Sequence, residues 1–167
     1  MEIKNISHDL PFKSSIGIRP LHSIEMAVVH HTGTKAGIAG YDFMARARSF
    51  ANYHISKGWG HIAYHYMIDR NGKVYQCYSE TEIGAQAGVW DINKKSLAIC
   101  LDGDFVLERP TAVQIGALWG MLDYLTRERP DLPLLVKQTV RTHREVRPTP
   151  TTCPSPIVQK LIDAYRV

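Results

Sequence analysis

Cysteine is scarce in this chain: Cys77, Cys100 and Cys153 are the only three in 167 residues. A sparse, odd-numbered set is not the disulfide framework of a small secreted domain. No apolar run approaches the roughly 20 residues of a membrane-crossing helix, and "MEIKNISHDLPF" at the start carries no apolar signal core. These absences predict synthesis and folding in a reducing cytoplasm, without a signal peptide and without membrane insertion. Basic runs are also missing, although the formal net charge is +4. The excess predicts attraction to an anionic partner, and the lack of a basic cluster argues against nucleic acid. Repeats, low-complexity tracts and long linkers are absent too, so one domain with its own core is expected, as a monomer.

What is present reads as alternating strands and helices. Residues 1–23, with Pro11 and Pro20, read as an irregular N-terminal arm, and residues 24–167 as the folded domain. "IEMAVVHH" (24–31) predicts a short central strand. Phe43, Ala47, Phe50, Ala51 and His54 fall on one helical face, and Gly58 stops that helix. "AYHYMIDRNGKVYQCY" predicts a hairpin turning at Asn71-Gly72. "SLAICLDG" is a buried strand. A helix follows, opened by the capping-box pair Thr111 and Gln114 and closed before Pro130. "VKQTVRTH" predicts a last strand. Ser155 as N-cap with Pro156 at the first helical position opens the final helix. The fold class is therefore α/β: a mixed central sheet flanked by about three α-helices.

The chemistry concentrates in histidine and cysteine. His8 and His22 read as loop polarity. "THREVRPTPTTCP" carries His143 at a strand end and Cys153 in a loop that enters a helix, where a thiolate is favoured. Cys77 and Cys100 lie inside apolar strands and read as inert core residues. His30 and His31 end a strand, so they point to opposite faces and only one can share a site with His143 and Cys153. Two histidines and a cysteine leave one tetrahedral position open, the arrangement of a catalytic zinc, whose chemistry is amide or ester hydrolysis.

Four segments in the same order make the chain resemble a known family. "VVHHTGT", "YHISKGWGHIAYHYMIDRNGKVYQCY", "GAQAGVWDINKKSLAICLDGDF" and "THREVRPTPTTCPSP" resemble the zinc amidases that include phage amidase-type lysozymes and animal peptidoglycan recognition proteins. The similarity runs from about Ile24 to the C-terminus. The resemblance implies a recognition-protein-like fold and a Zn2+ ion held by His30, His143 and Cys153. It implies Tyr64 as the catalytic tyrosine and Thr151 as a hydroxyl donor to the tetrahedral intermediate, with Thr149 and Thr152 as competing threonines. It implies that His31, His54, Trp59 and Asn93 line a groove for bacterial peptidoglycan. The activity implied is an N-acetylmuramoyl-L-alanine amidase, here a phage or prophage endolysin that reaches the wall through a holin-type route or an unusual export path.

The sequence departs from the family pattern in three places. The His143–Cys153 gap is two residues longer, Gln86 stands where relatives often carry histidine, and no glutamate is placed as an obvious general base. The alternative from another class is a peptidoglycan-binding module without catalysis, but non-catalytic relatives typically lose a zinc ligand and all three are kept here. A metal-free cysteine hydrolase would leave His30 without a role. A glycosidase needs opposed carboxylates, for which Glu80 with Glu82 or Asp102 with Asp104 are the nominees.

Overall fold

The structure is a computed structural model describing residues 1–37, 39–134 and 136–167. Six strands form one sheet: β1 (Ile3–Asn5), β2 (Met26–His31), β3 (Tyr66–Ile68), β4 (Val74–Gln76), β5 (Ser96–Leu101) and β6 (Val140–Thr142), in the order β1-β4-β3-β5-β2-β6. Only the β3–β4 hairpin is antiparallel; every other neighbouring pair is parallel. The helices are α1 (Phe43–Ser56), α2 (Trp90–Lys95), α3 (Ala112–Asp123), α4 (Val136–Thr139), α5 (His143–Val146) and α6 (Pro156–Tyr165). The expected α/β sheet with three substantial helices is what forms. α2, α4 and α5 are too short to leave a periodic trace in the sequence. Among the described residues, no helix is long and apolar enough to cross a membrane.

The two faces of the sheet bury different clusters. Ala27, Val29, Leu97, Ile99 and Leu101 face α3 and α6 and pack with Leu118, Leu122, Val158 and Ile162. Met67, Tyr75 and Cys100 face α1 and pack with Phe43, Ala47 and Ala51. Strand parity decides this division. The same parity sends His30 to the α1 side, in register with Cys100, and His31 to the α3 side, in register with Leu101.

Local chemistry holds the elements where the sequence places them. Thr111 and Gln114 form the capping box of α3, and the buried Gln114 amide also donates to the carbonyls of Ile68 and Asp102. Ser155 caps α6 by accepting the Val158 N–H, with Pro156 in the first turn. The hairpin turns at Gly72, whose φ is +77° and where a Cβ would lie 2.7 Å from the Val113 carbonyl oxygen.

Three expectations change. The stretch expected as an irregular arm supplies β1, which adds to the sheet edge beside β4, and buries Arg19. "VKQTVRTH" is a strand only over Val140–Thr142, because the preceding turn is helical and just three residues find partners on β2. β3 begins at Tyr66, so Tyr64 lies outside the strand.

Candidate metal centre

β6 runs parallel to β2 with Thr142 opposite Val29. One step further along each strand is a histidine, and strand parity turns both to the α1 side. The His30 and His143 rings lie 4.6 Å apart, tilted by 50°. A capping box between Thr142 and Glu145 starts α5 at His143 and bends the chain away directly after it. Cys153 arrives from the loop before α6. Its Sγ lies 3.6 Å from His30 Nδ1 and receives the His31 N–H at 3.4 Å. One ligand atom from each of His30, His143 and Cys153 lies within 4.8 Å of the others, and among the described residues no other such His/Cys/Asp/Glu group occurs. Two imidazoles and a thiolate suit zinc, and an ion about 2.0–2.3 Å from each donor would draw them only slightly closer.

Burial holds the His30 and His143 imidazoles below their ordinary pKa, and for His30 the neighbouring His143 adds to the effect. Both rings are therefore neutral, the form that binds metal. The His143 Nε2 faces the Ala87 carbonyl at 3.4 Å. A carbonyl only accepts, so Nε2 carries the hydrogen and Nδ1 keeps its lone pair for the centre. Cys153 departs from expectation. Its position ahead of a helix favours thiolate, but burial pushes the thiol up to about 12, outweighing the His31 N–H and the Arg147 charge. Without an ion the group is a thiol; a coordinating cation reverses that balance.

Tyr64 reaches the centre from outside β3. Continued strand pleating would give Tyr64 the face of Tyr66, on the α3 side. The bend before β3 instead turns it onto the α1-side cluster, with its ring 5.5 Å from His30 and edge-on to His54 at 5.5 Å. Burial, with the nearby thiols of Cys100 and Cys153, raises its phenol well above 10, so it remains a donor. His65 points away, its Nδ1 accepting the Ala98 N–H at 3.0 Å.

These groups line a cavity of about 680 Å³. His54 and Trp59 form one wall, stacked at 5.0 Å, with the His54 Nδ1 accepting the Ala63 N–H at 3.1 Å. His31 also lines the cavity, while its Nδ1 accepts the Phe105 N–H at 3.2 Å. Thr151 and Thr152 both line the cavity. Thr149 is held instead by Arg147, whose Nε donates to its hydroxyl at 2.8 Å. Asn93 is placed differently from the expectation. It is buried outside the lining, and its Oδ1 accepts the Ala87 N–H at 2.9 Å, so it shapes the loop that meets His143. The carboxylates nominated for a glycosidase also lie elsewhere: Glu80 pairs with Arg129 and Asp102 with Arg46.

Sequence reasoning missed Arg147, among the described residues the one lysine or arginine in the lining, where no described aspartate or glutamate occurs. Its place inside the unusually long His143–Cys153 loop was the available signal. The Ala87 carbonyl left none, because a backbone acceptor has no side-chain signature.

Comparison with known proteins adds sequence and fold. The chain is 31% identical over 100 residues to peptidoglycan-recognition protein SC2 of Drosophila simulans, covering 59% of this chain and 53% of that protein. It is 31% identical over 124 residues to recognition protein SD of the same species, covering 74% of this chain and 64% of that protein. The aligned stretch spans about half the length of the first curated relatives. Among solved structures, Drosophila recognition protein SD superposes with a TM-score of 0.79 at 27% identity, covering 97% of this chain and 93% of that one. The amidase LysC from Clostridium intestinale superposes at 0.75 with 21% identity, covering 100% and 99%, a likeness of fold. The family model for N-acetylmuramoyl-L-alanine amidases matches residues 20–156 and takes in every residue of the centre, so the chain belongs to that family.

Proposed function

We propose that this protein is a zinc-dependent N-acetylmuramoyl-L-alanine amidase, hydrolysing the amide between the lactyl group of muramic acid and the first alanine of the stem peptide. The observation that carries the reading is the convergence of His30, His143 and Cys153 at the floor of an open cavity, with a protonated tyrosine beside them. Three donors leave a coordination position free, which separates a catalytic from a closed structural site. Zinc bound there supplies Lewis acidity at the scissile carbonyl and a means of acidifying water.

The chain's own residues do the rest. Tyr64 donates a hydrogen bond to the oxygen that gains charge as the carbonyl becomes tetrahedral. Thr151 stands on the same rim, its Oγ1 accepting the Cys153 N–H at 3.1 Å and its hydroxyl hydrogen left for substrate. Trp59 and Tyr53 give the cavity aromatic walls, and Arg147 gives it a positive field suited to an anionic wall polymer. The ligand set is complete, which favours catalysis over the binding-only alternative, and the role proposed for it is that of an endolysin.

Digested peptidoglycan analysed by mass spectrometry should yield free stem peptides with new alanine N-termini. Wall bound tightly but returned uncut would identify a recognition module instead. Tyr64→Phe should keep about one zinc per chain while kcat falls on the order of 10²-fold, as loss of one oxyanion donor does. Undiminished turnover would remove Tyr64 from the reaction.

A further inference from the structure

Four buried side-chain polar atoms among the described residues have no hydrogen-bond partner, and two of them belong to neighbouring side chains in the lining of the metal centre: His30 Nε2 and Gln86 Oε1. The orientation of the Gln86 amide follows from its other end. The Ser96 hydroxyl spends its hydrogen on the Ile92 carbonyl at 2.7 Å, so it can only accept from Gln86, also at 2.7 Å. The atom on Ser96 is therefore the NH2 nitrogen, and Oε1 is the acceptor left for the neighbouring His30 ring. An amide oxygen accepts only, so it selects the His30 tautomer that carries hydrogen on Nε2. That tautomer leaves the Nδ1 lone pair on the Cys153 side, where Nδ1 and Sγ are 3.6 Å apart. The adjacent residue does the same for the second histidine, through the Ala87 carbonyl and His143 Nε2.

We propose that Gln86 is a positioning residue for the metal: its Oε1 accepts the Nε2–H of His30 and holds the ring with Nδ1 toward the ion, so that residues 86 and 87 orient both histidine ligands. The proposal rests on the zinc reading above. Outer partners of this kind typically carry 10–100-fold in metal affinity.

The test is zinc affinity of the whole chain, measured by competition with a chromophoric chelator. Gln86→Met keeps the length and removes the acceptor, and zinc binding should weaken about 10–100-fold. Gln86→Glu restores an acceptor and should return affinity to at least the wild-type value. Ser96→Ala releases the amide from its anchor and should give a smaller loss; it serves if Gln86→Met does not fold. Unchanged affinity in Gln86→Met, or in Ser96→Ala where that variant stands in, overturns the role, as does a Gln86→Glu variant no better than Gln86→Met. A wild-type chain that takes up no zinc overturns the underlying reading instead, whatever the variants do.

Discussion

Neutrality is what the individual residues at this centre share. Burial strips the charge from the two imidazoles and from the thiol, so each becomes a metal donor only through the geometry around it. His54 shows the same physics with a measurable consequence. Burial, reinforced by His61, lowers its pKa to about 4, and its Nδ1 must stay unprotonated to accept the Ala63 N–H. Above pH 6.5 the ring is neutral in both folded and unfolded chains, and its contribution to stability is complete. As pH falls from 6.5 toward 4, the unfolded chain takes up a proton that the folded chain refuses, and stability drops by at most about 3 kcal/mol. His54→Asn keeps an acceptor without the titration. In urea unfolding, its stability deficit relative to wild type should shrink across that window and stay level above it. A deficit that grows with acidity would contradict the assignment.

At the scale of elements, the site depends on segments that are not themselves ligands. The loop after β2 forms one rim of the cavity through Thr32, Gly33 and Thr34. Arg46 of α1 pins it, donating to the Thr34 carbonyl at 2.9 Å while its Nε and Nη2 bond both oxygens of the fully buried Asp102 at 2.7 Å. Arg46→Met leaves Asp102, among the described residues, with only the Tyr41 and Thr32 hydroxyls as side-chain donors. Removing one partner of a buried pair should destabilise the fold by about 3 kcal/mol, read as a lower urea midpoint at constant m. The loosened rim should also raise KM for wall fragments. A variant as stable as wild type would show that the pin contributes nothing.

Across the whole molecule, the centre joins positions 30, 143 and 153, which the unfolded chain does not hold together. Zinc that binds only the folded form at 100 times its dissociation constant stabilises by about 2.7 kcal/mol, or roughly 5–10 °C in Tm for a chain of this size. Calorimetry of the chelator-treated protein should show that rise on adding zinc, and His143→Ala should abolish it. An equal rise in His143→Ala would place the ion elsewhere.

Much of this was legible in the residues themselves. The apolar runs of β2 and β5, the capping pair Thr111–Gln114, the Ser155-Pro156 helix start and the Asn71-Gly72 turn all report local preferences, and local preference survives in the folded chain. The grouping of His30, His143 and Cys153 was legible as well, because few histidines and cysteines stand beside motifs that follow one another in family order. Tertiary structure alone decided the remainder. It turned Tyr64 by a bend that pleating does not encode, drew β1 from a polar stretch onto a sheet edge, and set Asn93 behind the cavity. It also set the Cys153 thiol, since burial by distant segments outweighed the local helix start, and aimed the Gln86 amide, whose NH2 is anchored on Ser96 of β5. Those outcomes depend on what the rest of the chain brings alongside, and sequence spacing carries no record of it.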